Sequence, residues 1–184
     1  MAKAYSPLAI ANAFLERAKR DGRPLSNMKL QKLLYFAQGH SHALRKGRLI
    51  DADPEAWDYG PVYRTVWNEF RDRGSSPIDR LAVGMDEGAY IFAEPGETFD
   101  PMPTPKGEQV NSFLDAVWKA YGDKSALHLS DLSHVRGGPW DVTRKKTGGA
   151  RGAKIPDELI AKYFVDAREK RMAKRAEEQA ADAD

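Results

Sequence analysis

Four histidines, one acidic run and one basic run are the residues of this chain whose types could support chemistry. Each falls short of the pattern its chemistry needs. His40 and His42 lie two positions apart, which on a helix turns their side chains roughly 200° away from each other, so they cannot share a metal ion. His128 and His134, six apart, diverge as well, and no His-Glu-x-x-His pattern occurs. The run Asp51-Ala52-Asp53-Pro54-Glu55 starts like a calcium loop. It then has Ala56 where the turn needs glycine and Val62 where a bidentate glutamate should close the site. Lys145-Lys146-Thr147-Gly148-Gly149 reverses the glycine and lysine order of a phosphate loop. The chain has no cysteine, which removes a thiolate nucleophile, a thiolate zinc site and disulfides. No serine sits in a nucleophile elbow. His134 with neighbouring acids is the one place left for a small hydrolase. The expectation is a protein without catalytic residues, metal or cofactor.

A different signal lies between Ser26 and Gly47. Leu30, Leu33, Leu34, Ala37, Ser41 and Leu44 recur at helical spacing and form a buried stripe. Opposite them run Gln31, Tyr35, Gln38 and His42, a polar-aromatic stripe unlike an ordinary Lys/Glu surface. Such side chains combine contact area with hydrogen bonding and suit a partner surface; equally, they suit a central helix buried on both sides. Trp57, Tyr59, Tyr63 and Trp67 cluster around the Gly60-Pro61 turn, where they either pack the core or, for Trp57 and Tyr59, extend the partner surface.

The elements that must position these residues follow from caps and periodicity. Ser6-Pro7 opens a first amphipathic helix that Gly22 stops. The second runs from Ser26/Asn27 to Gly47. Glu55 to Tyr59 is a short strand or extended loop, and Pro61 opens a third helix ending at Gly74. From Ser75 to Thr104 the chain is rich in proline and glycine, with Leu81–Val83 and Ala89–Phe92 as the arms of a small hairpin between the third and fourth helices. Thr104-Pro105 starts the fourth helix, Lys124 to Ser133 gives a fifth, and Pro156 opens the last. Between them, residues 136–154 carry five glycines and six bases against one acid and are expected to be a loop. The predicted fold is mainly α (α+β), a compact bundle of about six helices. One domain covers residues 1–167; residues 168–184 form a charged, partly disordered tail.

Three blocks, in order, resemble the Panacea domain of SocA-like bacterial antitoxins. The first is Met28-Lys29-Leu30-Gln31-Lys32-Leu33-Leu34-Tyr35-Phe36-Ala37-Gln38-Gly39-His40. The second is Ala56-Trp57-Asp58-Tyr59-Gly60-Pro61-Val62. The third holds His134, Gly137-Gly138-Pro139-Trp140 and then Ile155-Pro156, Ile160 and Tyr163-Phe164. The chain departs from the family pattern at Ser133, where threonine is frequent, and in the long basic insert before Ile155. The resemblance implies an antitoxin that binds and neutralises a protein toxin encoded nearby. It also implies, in the best-studied kind of member, an adaptor that carries the toxin to the ClpXP protease.

Whole-chain properties bound the same reading. Net charge is +2 over 184 residues, weaker than a protein that lives on DNA usually carries. A nucleic-acid-binding regulator using the basic 136–154 segment is therefore the alternative rather than the first expectation. No stretch approaches about 18 consecutive apolar residues, and Met1 to Pro7 lacks the apolar region of a signal peptide. With the absence of cysteine, this predicts a cytoplasmic protein with no membrane contact.

Overall fold

The computed structural model describes residues 4–84 and 99–181. Ser6 caps α1 (Pro7–Arg20) by accepting from the Leu8 amide at 3.3 Å. Ser26 caps α2 (Asn27–Ala43) in the same way, accepting from Lys29 at 3.4 Å. Then come β1 (Glu55–Trp57) and β2 (Gly60–Val62), an antiparallel pair with Ala56 opposite Pro61. α3 (Arg64–Glu69) passes into a single 3-10 turn, Arg71–Arg73. α4 (Glu108–Tyr121), α5 (Ala126–Ser133), α6 (Pro139–Lys146) and α7 (Asp157–Ala181) complete the described elements. The described residues are mainly helical with a small hairpin, the mainly α class that the sequence predicted. No described helix is long and apolar enough to cross a membrane.

α2 is the hub. It packs on α1, α3, α4, α5, α7 and β2, so nearly its whole circumference is covered. Leu30, Leu33, Leu34 and Ala37 are fully buried. A central helix of this kind needs no polar face, and its two-sided burial explains the weak amphipathic contrast of its sequence. Gly39 sits where α7 crosses: a β-carbon there would run into the Phe164 ring. Phe164 in turn packs edge-on against Tyr35 and His40, with ring centroids 5.7 and 5.4 Å apart. Leu44, expected in the buried stripe, is the C-terminal cap and lies exposed.

Several boundaries differ from those read in the sequence. Pro61 lies in β2 and the helix begins three residues later; a ring-fixed φ near −65° serves an extended strand as readily as a first helical turn, and pairing with β1 selects the strand. The described hairpin is therefore at 55–62, between α2 and α3. Leu81–Val83 forms no strand, and Ala89–Phe92 lies outside the described residues. The Arg136 to Lys154 segment is not all loop. Gly138 and Pro139 start α6, and the Asp141 carboxylate accepts from the Gly137 amide at 2.8 Å, closing its first turn. Gly148, Gly149 and Gly152, all at positive φ, then form the loop proper. α4 starts at Glu108 behind Gly107 rather than at Pro105. The charged tail is helical as far as Ala181, with every residue from Glu169 to Ala181 exposed.

Candidate functional site

The polar-aromatic stripe of α2 turns inward. Gln31, Tyr35 and Gln38 are at most 2% exposed, and the two glutamine amides bond inside the domain. Gln31 Oε1 accepts from the Tyr63 amide at 2.8 Å, and its Nε2 donates to Asn27 Oδ1 at 3.0 Å. Gln38 Oε1 takes the amides of both Leu49 and Ile50, at 3.1 and 2.8 Å. Its Nε2 donates to the Asp157 carboxylate, which also meets His42 Nε2 at 2.9 Å. Burial pushes the Tyr35 phenol well above its ordinary range. These four side chains tie α2 to the β2–α3 junction, to the chain after α2 and to the start of α7. They are therefore not an exposed contact surface, a correction to the sequence expectation. Pro156, just before Asp157, leaves its carbonyl to accept from Leu159 and Ile160.

The second and third sequence blocks converge instead on the hairpin, whose carbonyls are held one after another by side chains from elsewhere in the chain. Arg144 Nη1 donates to the Ala56 carbonyl at 3.3 Å, and Trp140 Nε1 to that of Trp57 at 2.7 Å. His134 Nε2 lies 3.2 Å from the Asp58 carbonyl. Ser130 Oγ donates to Tyr59 at 3.1 Å, and Lys32 Nζ to Pro61 at 3.1 Å. His134 also places Nδ1 2.6 Å from the Ser130 carbonyl; the neutral ring can donate to one of these carbonyls and the imidazolium to both. The indole of Trp140 stands edge-on to His134, with centroids 3.9 Å apart, and the Arg144 guanidinium lies over the indole. Gly60 makes this convergence possible. It has φ +98°, and a β-carbon there would lie 2.6 Å from both Lys32 Nζ and Ser133 Oγ, so any other residue would be strained and would displace them.

This geometry gives the hydroxyl–imidazole groups structural partners. Ser133 Oγ donates to the Ser130 carbonyl at 2.7 Å and lies 3.4 Å from His134 Nδ1, too long for an efficient proton relay. Among the described residues no three His, Cys, Asp or Glu side chains gather in a way that could hold a metal ion.

With its backbone held, the hairpin buries Glu55, Ala56 and Val62 and exposes Asp58 and Tyr59 at its tip. Tyr59, at the tip, is 74% exposed; Trp57 is half-buried, tilted against Trp67 at 5.1 Å between centroids. A cavity of about 670 Å³ opens beside them, walled by α2, the hairpin, the end of α3 and the Gly149–Gly152 loop. Lys32 lies in its lining and is 1% exposed. Burial lowers its ammonium to about 7. Sequence reasoning placed Trp57 and Tyr59 near a turn but missed Lys32. A lysine inside an apolar helical run, four residues from Phe36 and one from Leu33, was the signal available.

The protein is thus a helical body around one buried helix, with a hairpin clamped through its carbonyls by residues distant in sequence. The family described as "Antitoxin SocA-like, Panacea domain" matches residues 30–141, and the chain belongs to it. That span contains every clamping donor except Arg144. Antitoxin SocA of Caulobacter vibrioides (strain NA1000 / CB15N) is 35% identical to this chain over 161 residues, covering 85% of this chain and 80% of that protein. No solved structure matches the chain.

Proposed function

We propose that this protein is an antitoxin: it binds a protein toxin made from a neighbouring gene, neutralises it by that contact, and presents it to the ClpXP protease in the cytoplasm. The observation that carries the reading is the 35% identity to Antitoxin SocA across 85% of the chain. The contact surface on this reading is the hairpin. An exposed tyrosine beside a tryptophan on an immobilised backbone offers aromatic area at little entropic cost. Binding rather than catalysis suits a site whose serine and histidine groups are already committed to carbonyls.

The test is co-expression with the product of the adjacent gene. That product alone should arrest growth, and this protein should restore it. The reading fails if the neighbour is harmless, or if it stays toxic with this chain present. The protease step has its own test, because tethering makes delivery intramolecular and raises the effective concentration to the order of millimolar. Toxin half-life in the presence of ClpXP should shorten when this protein is added. An unchanged half-life leaves an antitoxin that acts by sequestration alone.

A further inference from the structure

The cavity beside the hairpin has a composition that the antitoxin reading leaves unexplained. Its lining carries four bases, Lys32, Arg71, Arg144 and Arg151, against one acid, Asp58. Asp58 is already matched by Arg144 at 2.7 Å. Arg71 and Arg151 are exposed at the rim and have no ion-pair partner among the described residues. Lys32 has three N–H groups and one hydrogen-bond acceptor, the Pro61 carbonyl, with no carboxylate beside it among the described residues. A buried ammonium in this state is costly unless something anionic completes it or the proton is given up. Its aromatic groups are Trp57, Tyr59 and Trp67. Tryptophan, tyrosine and arginine are the residues that dominate binding energy at protein interfaces.

We propose that this cavity receives an acidic segment of the partner toxin, with one carboxylate meeting the Lys32 ammonium, flanking acids paired to Arg71 and Arg151, and adjoining apolar side chains covered by Trp57, Tyr59 and Trp67. The proposal rests on the antitoxin reading and adds the chemistry of recognition. Charge complementarity selects the occupant: a surplus of cations around aromatic walls disfavours a basic or purely apolar segment, which would leave the ammonium uncompensated. The volume of about 670 Å³ accommodates a few side chains rather than a whole helix.

The experiment titrates the adjacent gene's product into the full-length protein by calorimetry, at about 50 and about 300 mM salt. Wild type, Lys32→Met, Arg151→Glu and Lys119→Glu are compared. Lys119 is exposed on α4, outside the cavity lining, so its reversal controls for net charge. Binding by wild type should weaken with salt and quench Trp57 and Trp67 fluorescence. Lys32→Met and Arg151→Glu should each weaken it by about tenfold or more, and Lys119→Glu should leave it unchanged. An acid-to-lysine change in the toxin that restores binding to Arg151→Glu identifies the segment. If the two cavity variants bind as wild type does while toxin is still neutralised, the acidic-segment proposal is overturned and the antitoxin reading stands. If wild type neither binds nor rescues, both fall. Arg151 is exposed in a loop, so its variant folds and keeps the test decisive.

Discussion

Replacing Lys32 with methionine should make this protein more stable below neutral pH and less stable above about pH 10. Methionine nearly matches the lysine stem in length and removes the charge. In the folded state burial holds the ammonium at about 7 instead of 10.5. Unfolding returns it to the ordinary value, so the unfolded chain binds the proton more tightly, and stability falls as pH drops from 10.5 towards 7. The full penalty, reached below 7, is on the order of 5 kcal/mol. Against this, the variant loses the 3.1 Å bond to Pro61 and leaves that carbonyl unsatisfied, which costs about 1–3 kcal/mol. The net gain near pH 6 is then about 2–4 kcal/mol, shrinking as pH rises and reversing once the wild-type lysine is neutral in both states. Urea unfolding of both proteins at several pH values reads this directly. A variant less stable than wild type near pH 6, or a difference that does not change with pH, refutes the reasoning.

Three further outcomes follow from the clamp and the tail. Gly60→Ala places a β-carbon 2.6 Å from Lys32 Nζ at a φ of +98° and should cost about 2–4 kcal/mol, measured by denaturant midpoint. Trp140→Phe keeps a ring against His134 but drops the bond to the Trp57 carbonyl; about 1–3 kcal/mol should be lost, and hydrogen exchange should accelerate in residues 55–62. Removing residues 172–184, all exposed where described, should leave the unfolding free energy within about 0.5 kcal/mol; a larger loss would mean the end of α7 packs on the body.

The helices were legible because caps and periodicity are local. Ser6, Ser26 and Ser125 each cap the helix that follows, and the leucines of α2 announce a buried face. The inward turn of Gln31, Tyr35 and Gln38 was not legible, since a polar stripe reads identically whether water or another backbone meets it. Only the partners, such as the Leu49 and Ile50 amides on Gln38, decide, and they belong to a segment without periodicity. The helix at Pro139–Lys146 was obscured by glycines on both sides of it, although Gly138-Pro139 is the same kind of start as Ser6-Pro7. Pro61 shows the converse: its fixed φ is compatible with two elements, and long-range pairing chose between them. For the site, sequence proximity brought out Trp57 and Tyr59. The approach of Lys32, His134 and Trp140 to one hairpin depends on contacts spanning 29 to 83 positions, beyond the reach of any local pattern.

The hairpin clamp grips oxygen atoms of the main chain, and every residue type supplies the same oxygen. Tyr59 can therefore be exchanged without removing any of the five bonds that fix the loop, whereas Asp58 also holds the clamping Arg144. A tip built this way behaves as a socket of constant shape with interchangeable fittings. Changing the residue at 59, with Gly60 and the donors untouched, is thus expected to alter the side chain the tip presents without redesigning the fold.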